Sequence, residues 1–378
     1  MSPVPPDDPR SSAPGTPHGG GPALAHTPAL FRRYPELAAR IPWLPIGEFP
    51  TPVQPLDLGP ATHGAQLWIK RDDLSAQPYG GNKVRKLEFI LADAKSRGIE
   101  RLITIGAVGS HHALATALYG RVHGFRVSLV LFPQPMNEHV RRILLLDHAL
   151  GAELRFTQRM ETVPGAMLAA RLAHRGRRYC VIAPGGSDPV GTLGYVSAGL
   201  ELAEQIAEGQ APRPDVVHVA AGTLGTAAGL AIGFALAGLD VPISAVRITG
   251  RIVANERALA RLVSRTLAHL RRAGLASAPR RGAVLRLVTI RHGFLGEGYG
   301  HETPAGREAA ELFRDAGLIL DPTYTAKAAA GLISSIREQR GGVHLFWHTL
   351  SAHEPVDVLE GVNAEALPEP FRRLLGSS

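Results

Sequence analysis

Cysteine is almost missing: Cys180 is the only one in 378 residues. A single thiol excludes an intrachain disulfide, and nothing else in the composition points to an oxidising compartment. Long apolar runs are missing too, none reaching the roughly 20 residues that span a bilayer. The N-terminal "MSPVPPDDPRSSAPGTPHGGGPALAHT" lacks the apolar centre of a secretion signal. The expectation is a cytoplasmic protein with no membrane partner, its residues 1–27 a disordered Pro/Gly/Ser-rich tail. Lysine is the third scarcity. Of 41 basic side chains only five are lysines, namely Lys70, Lys83, Lys86, Lys95 and Lys327.

What is present in excess is arginine. The formal net charge is +8, and ten arginines fall between Arg251 and Arg291 against one acid, Glu256. Leu259, Leu262, Val263, Leu267 and Leu270 recur there at helical spacing, which places most of those arginines on the wet face of an amphipathic helix. No aromatic interleaving and no known binding motif accompany the charge, so no nucleic-acid partner is expected. Acidic small molecules are compatible with it.

Beyond the tail, short β-branched runs alternate with longer helical patterns. The strand candidates are "RLITIGAV", "RVSLVLF", "AELRF", "YCVIAP", "DVVHVAA", "ISAVRIT", "VLRLVTI" and "GVHLFW". This repetition predicts an α/β protein of two lobes, with parallel sheets and ligands at the carboxyl ends of strands. The stretch "RRAGLASAPRRGA" reads as a surface loop before the seventh of these strands.

Five lysines make the search for a reactive amine short. Such an amine needs apolar surroundings, which disfavour its charged form and leave it nucleophilic. The helix that starts near Lys83 carries Val84, Leu87, Ile90, Leu91 and Ala94 as its apolar stripe. At about 100° per residue, Lys83 lies roughly 30° from the centre of that stripe, and Lys86 and Lys95 lie about 90° off it. Lys83 is thus predicted to point inward. Lys327 projects opposite to Ala329, Leu332 and Ile336 and should meet solvent, while Lys70 reads as a charged strand end. The plain alternative for Lys83 is a helix-start lysine snorkelling past a glycine turn.

A second feature bears on the first. In "HVAAGTLGTAAGLAIGFALAG" a strand runs through Gly222, Thr223, Leu224, Gly225 and Thr226 into a helix. Backbone N–H groups and threonine hydroxyls there suit an anion, most plainly phosphate. A tight packing turn explains the glycines equally well. A nicotinamide-dependent dehydrogenase, with Asp240 as the ribose-binding acid, is a further reading of the same loop. A phosphate cradle together with one inward lysine points to pyridoxal phosphate.

The blocks "IKRDDLSAQPYGGNKVRKLEFILADA", "GAVGSHHALATALYG", "APGGSDPVGTLGYVSAGLELAEQ", "GEGYG" and "LDPTYTAKAAAGL" resemble, in this order, the aminocyclopropane-carboxylate deaminase and D-cysteine desulfhydrase family of pyridoxal-phosphate enzymes. The resemblance covers roughly residues 40 to 350. It implies the tryptophan-synthase-β-like architecture of fold type II, usually a homodimer, with the cofactor between two lobes. Residues 40–85 and 198–365 would form the large lobe and 86–197 the small one. By position, Lys83 would hold the cofactor covalently and move the substrate proton, and Gly80 and Gly81 would let the backbone approach the cofactor. Asn82 and the loop Gly222, Thr223, Leu224, Gly225 and Thr226 would also hold the cofactor. Ser110, at a helix start, would seat the substrate carboxylate beside His111 and His112. Tyr299 and Tyr324 would carry protons at the leaving group. Thr325 would contact the pyridine nitrogen, where the deaminase branch has glutamate.

A neutral hydroxyl at that position makes the ring a weaker electron sink than a carboxylate does. The resemblance therefore implies α,β-elimination from a small β-substituted, D-cysteine-like amino acid, giving a 2-oxo acid and ammonia, ahead of cyclopropane ring opening. The chain departs from the family at three places. His111 replaces an asparagine that gives the cofactor's ring oxygen a hydrogen bond, and Leu224 intrudes in a loop normally richer in glycine. "HTLSAHEP", with Leu350 and Ser351, replaces a Thr-Gly-Gly stretch. Such changes keep open a catalytically altered binding or regulatory protein. A metal at His111 and His112 is not expected, because neighbours on a helix diverge by about 100° and no partner ligands stand at the right spacing.

Overall fold

The computed structural model describes residues 27–339 and 341–376. Apart from Thr27, the tail expected over 1–27 lies outside the described residues.

Ten strands occur among the described residues: β1 (Val53–Pro55), β2 (Gln66–Arg71), β3 (Arg101–Ala107), β4 (Arg126–Phe132), β5 (Glu153–Phe156), β6 (Tyr179–Val181), β7 (Val216–Ala221), β8 (Ile243–Arg247), β9 (Val288–Arg291) and β10 (Val343–His348). They form two sheets, one of six strands in the order β1-β2-β10-β7-β8-β9 and one of four in the order β5-β4-β3-β6. Every pairing is parallel except the edge pair β1 and β2. Helices supply the crossovers that parallel pairing demands. Each of the eight strand candidates contains a strand, and "LWIK" lies in β2. The seventh begins later than expected: Val284 and Leu285 close a short helix, Arg281–Leu285, and β9 starts at Val288. A short apolar run alone does not distinguish a strand from a helical turn. That helix also occupies the end of the stretch expected to be loop.

The arginine-rich segment contains the helix Glu256–Arg272, which buries Leu259, Leu262, Val263, Thr266, Leu267 and Leu270 and so has the predicted apolar face. No helix among the described residues is long and apolar enough to cross a membrane.

The helix Asn82–Ser96 lies at the junction of the two sheets and is buried on nearly every side, with Arg85, Lys86 and Glu88 buried alongside the predicted stripe. Three buried charges around it are neutralised by partners far away in sequence. Arg85 donates to Asp72 and to Glu201. Asp72 also accepts from the Tyr195 hydroxyl at 2.6 Å and from Trp347 Nε1 at 2.7 Å. Lys70 Nζ donates to Glu201 at 2.6 Å, to Gln205 at 2.6 Å and to the Thr51 carbonyl at 2.7 Å. Lys70 lies near the end of β2 as read from the sequence, but its charge is buried in the core. The network ties the helix to β2, to β10 and to the helix Pro189–Ala207. On the next turn, Glu88 accepts from Trp43 Nε1 and from the N–H groups of Ile46 and Gly47, each at 3.0 Å.

Candidate active site

A cavity of about 630 Å³ opens at the carboxyl ends of β3, β7 and β8 and beside the loop after β10. Lys83 stands at the start of its helix and faces this cavity. Its Nζ donates to Asn82 Oδ1 at 2.7 Å and lies 6.0 Å from the centre of the Tyr324 ring. Burial lowers its pKa to about 8, with Asp321 opposing the shift. The inward direction read from the sequence is the observed one.

Gly80 and Gly81 do a different job from the one expected. Gly81 begins the helix at φ 82°, and a Cβ there would come within 2.7 Å of the Thr349 carbonyl oxygen. A Cβ on Gly80 would come within 2.6 Å of the Asp73 carbonyl oxygen. These glycines let three backbone segments meet behind Lys83, and neither lines the cavity.

The second wall is the loop after β7. Leu224 caps the helix Gly225–Ala237 in the left-handed region at φ 67°, a conformation that is costly for a residue with a Cβ. Its side chain belongs to the large hydrophobic core and is 2% exposed, and the residue also lines the cavity. Gly222, Thr223, Gly225 and Thr226 line it as well. The side chains of Ser187 and Thr223 share a hydrogen bond of 2.6 Å, and Asn82 Nδ2 donates to Thr226 Oγ1 at 3.3 Å.

Lys86 completes this wall and was missed by the angular reasoning. Its Nζ donates to the Gly185 carbonyl at 2.9 Å and to Ser187 Oγ at 3.3 Å. No carboxylate among the described residues stands at ion-pair distance from it, and burial holds its pKa well below the ordinary lysine value, with Lys83 adding to the effect. An angle measured from one apolar stripe assumes a wet opposite face, and this helix has none. The available signal was the (i, i+3) relation to Lys83, which puts both amines on one side of the helix. Lys327 was also misplaced. It is buried, and its Nζ donates to the Leu295 and Gly298 carbonyls at 2.8 and 3.2 Å, bracing the loop that carries Tyr299.

The third wall begins at Ser110, whose hydroxyl accepts from the Ala113 N–H at 3.2 Å as the cap of the helix His111–Val122. His111 and His112 both line the cavity but diverge. His111 contacts the Tyr79 hydroxyl and His139, whereas His112 Nε2 lies 3.0 Å from Thr104 Oγ1 and its Nδ1 has no protein partner. Burial brings His111 down to about 4 and His112 well below the ordinary value, so both are neutral near pH 7. No group of three or more His, Cys, Asp or Glu among the described residues could hold a metal ion. Opposite, the hydroxyls of Tyr299 and Tyr324 share a hydrogen bond. Burial pushes Tyr299 up to about 12 and Tyr324 well above its usual value, so the pair keeps its protons.

Thr325, like Gly80 and Gly81, does not line the cavity. Its hydroxyl donates to Asp321 Oδ1 at 2.7 Å and accepts from the Asp321 N–H at 2.8 Å. Asp321 is the residue that reaches the cavity, held by the N–H groups of Thr323, Tyr324 and Thr325. It sits in the quoted block "LDPTYT", four residues before Thr325, where an acid ahead of a helix is the usual signal for an N-terminal turn.

These residues fit pyridoxal phosphate. The buried Lys86 amine lacks an anionic partner beside a helix N-terminus, where a phosphate would supply one. A Cβ on Gly225 would come within 2.4 Å of Ser187 Oγ and 2.9 Å of Lys86 Nζ, so only glycine keeps that cradle open. Across the cavity, Lys83 offers an amine of lowered pKa.

Fold and site together define an α/β enzyme that works through a lysine amine and a phosphorylated cofactor. Residues 44–349 match the family model described as pyridoxal-phosphate dependent enzyme, and the chain belongs to that family, with the fold-type II architecture. It is 36% identical over 348 residues to the nocardicin C-9' epimerase of Nocardia uniformis subsp. tsuyamanensis, covering 86% of this chain and 98% of the relative. It is 35% identical over 322 residues to the D-cysteine desulfhydrase of Salmonella choleraesuis, covering 82% and 94%. A crystal structure of an ACC deaminase homologue superposes with a TM-score of 0.68 at 31% identity, covering 89% of this chain and all of that one. The protein is thus a pyridoxal-phosphate-dependent enzyme. Asp240, the acid of the dehydrogenase reading, is exposed ahead of β8, at the end of the strand away from the cavity.

Proposed function

We propose that the protein is a lyase that eliminates the β-substituent of a small, D-cysteine-like amino acid, releasing a 2-oxo acid and ammonia. The observation that carries this reading is Lys83, an amine lowered to about pKa 8 that faces a cavity shared with the proton-bearing Tyr299–Tyr324 pair. Likeness to the D-cysteine desulfhydrase supports the substrate class.

Lys83 would hold the cofactor through its amine and, as a neutral amine, would take the α-proton of the substrate. Pyridoxal phosphate, when bound, supplies a ring that accepts the electron pair left on the α-carbon. Lys86, Thr223, Thr226 and the N–H groups of residues 222–226 would hold the phosphate, and Asn82 orients Lys83. Ser110 and its helix N-terminus seat the substrate carboxylate beside His111 and His112. The tyrosine pair protonates the departing β-substituent as its bond to carbon breaks, and the unsaturated amine that is released takes up water to give the 2-oxo acid and ammonia. Thr325 acts through Asp321, whose carboxylate it orients.

A second reading, epimerisation at the α-carbon, draws on the Nocardia relative and on the tyrosines as a second proton carrier. Ring opening of the ACC deaminase type is a third, drawn from the homologous structure. Incubation with D-cysteine, both serine enantiomers and 1-aminocyclopropane-1-carboxylate in deuterated buffer separates them. Ammonia with pyruvate from D-cysteine supports elimination. α-Deuterium exchange with inversion and no ammonia replaces it with epimerisation, and 2-oxobutanoate from the cyclopropane substrate replaces it with ring opening.

We further infer a cytoplasmic homodimer. Leu168 and Leu172, one turn apart on the helix Val163–Ala173 and 55% and 59% exposed, offer an apolar face for a second copy. Sedimentation of the wild type against Leu168→Glu tests the dimer, and a wild-type monomer would remove it.

A further inference from the structure

Two departures from the family pattern, His111 and the segment "HTLSAHEP", meet through a third residue. On the cavity wall, His111 Nδ1 stands 2.5 Å from the Tyr79 hydroxyl and His111 Nε2 stands 3.3 Å from His139 Nε2. His139 Nδ1 in turn stands 3.3 Å from Glu354 Oε1. The other Glu354 oxygen accepts from Arg142 Nη1 at 3.0 Å. His139 and Glu354 are partly exposed, whereas Tyr79 is buried. The row runs from the cavity wall to the surface.

Its polarity follows from hydrogen counting. Glu354, held ionised by His139 and Arg142, has only lone pairs to offer. A neutral His139 therefore carries its proton on Nδ1, toward Glu354, and presents Nε2 as an acceptor. His111 must then carry its proton on Nε2, which leaves Nδ1 to accept from Tyr79. Both nitrogens of His111 are committed within the protein, and neither is left to give the ring oxygen the hydrogen bond of the family's asparagine. Lys83, Asp321 and Tyr324 also face this imidazole, and none of them is hydrogen-bonded to it.

We propose that His139 and Glu354 are positioning residues that lock His111 in its neutral Nε2–H tautomer, making the imidazole a fixed wall of the cofactor cavity. The role toward cofactor rests on the reading of the cavity given above, whereas the lock itself belongs to the cofactor-free chain. One carboxylate two imidazoles away sets the state of the site, and the departures at His111 and Glu354 are parts of one device.

The test uses the cofactor-free protein labelled with ¹⁵N-histidine, at a mildly alkaline pH. His111 signals are assigned by their loss in His111→Asn. The wild type should show His111 protonated on Nε2. Glu354→Leu and His139→Leu should give mixed or reversed tautomers. His139→Gln, whose carboxamide can accept from His111 and donate to Glu354, should restore the wild-type pattern. Pyridoxal phosphate affinity should fall about tenfold in the first two variants, the size of the one Tyr79–His111 hydrogen bond that fixes this wall, and stay within about twofold in His139→Gln. Nδ1 protonation in the wild type, or an unchanged tautomer in both disrupting variants, overturns the lock. A tautomer that moves while cofactor affinity and the absorbance of the loaded protein stay constant overturns its role toward the cofactor. A wild type that binds no pyridoxal phosphate removes the cofactor-site reading, and the tautomer spectra still decide the lock.

Discussion

Replacing Lys86 with methionine removes one buried amine while keeping most of its volume. Its partners in the protein, the Gly185 carbonyl and Ser187 hydroxyl, are neutral, so no carboxylate is left unpaired and the fold should survive. What is lost is the cation proposed to face a phosphate across the cradle of residues 222–226. A hydrogen bond to a charged group contributes about 1.5–3 kcal/mol, and about 1.4 kcal/mol is tenfold in affinity. Pyridoxal phosphate should therefore bind about 10- to 150-fold more weakly to Lys86→Met. Pyridoxal, which carries no phosphate, should bind both proteins within about threefold. Binding should also draw in a proton, because burial holds Lys86 well below its usual pKa and the dianion restores its charge. That part of the pH dependence should vanish in the variant. Titrating cofactor-free protein by fluorescence with each ligand, across pH, measures all of this. Equal weakening for the two ligands would refute the assignment of Lys86 to phosphate.

The remaining predictions concern the amine, the cradle and the buried network. Reaction of cofactor-free protein with carbonyl reagents at Lys83 should rise with pH to a midpoint near 8, read by mass spectrometry of the labelled peptide. A midpoint near 10.5 would remove the desolvation argument. Gly225→Ala places a Cβ 2.4 Å from Ser187 Oγ. It should weaken pyridoxal phosphate binding at least tenfold while leaving pyridoxal less affected, measured in the same titration. Glu201→Leu strands Lys70 and Arg85 and should cost about 3–5 kcal/mol in urea unfolding, with the double change Lys70→Met and Glu201→Leu less destabilised than Glu201→Leu alone. Glu201 titrates at about 2 in the fold against an ordinary 4.5. A lowered acid pKa stabilises above the unfolded value, so about 3 kcal/mol of stability should disappear as pH falls from about 4.5 to 2. Flat stability across that window would contradict the network.

The parts of the site legible in the sequence are those made by local pattern. Lys83 follows from a stripe on its own helix, the 222–226 loop from a strand running through glycines into a helix, and Ser110 from its place before one. The alternation of runs likewise located eight strands. Features made by distant chain were not legible. Lys70 looks like a surface charge until Glu201, 131 residues away, is brought against it. Lys327 faces the loop at Leu295, and Gly80 and Gly81 face the backbone of Asp73 and Thr349, approaches that no spacing encodes. Asp321 supplants Thr325 at the cavity because a short acid with three backbone donors claims the threonine hydroxyl. Leu224 looks obstructive in one dimension, and its left-handed φ turns the side chain into the core. Edge strand β1, three residues long with a proline, carries little signal of its own.

The central claim is that Lys83, and not the neighbouring Lys86, is the amine that holds the cofactor. Borohydride reduction of the protein loaded with pyridoxal phosphate, followed by peptide mapping, tests it directly. One stable label should appear on Lys83, with bleaching of the visible band and no label in Lys83→Ala. A label on Lys86 or Lys327, or an unchanged label in Lys83→Ala, would contradict it.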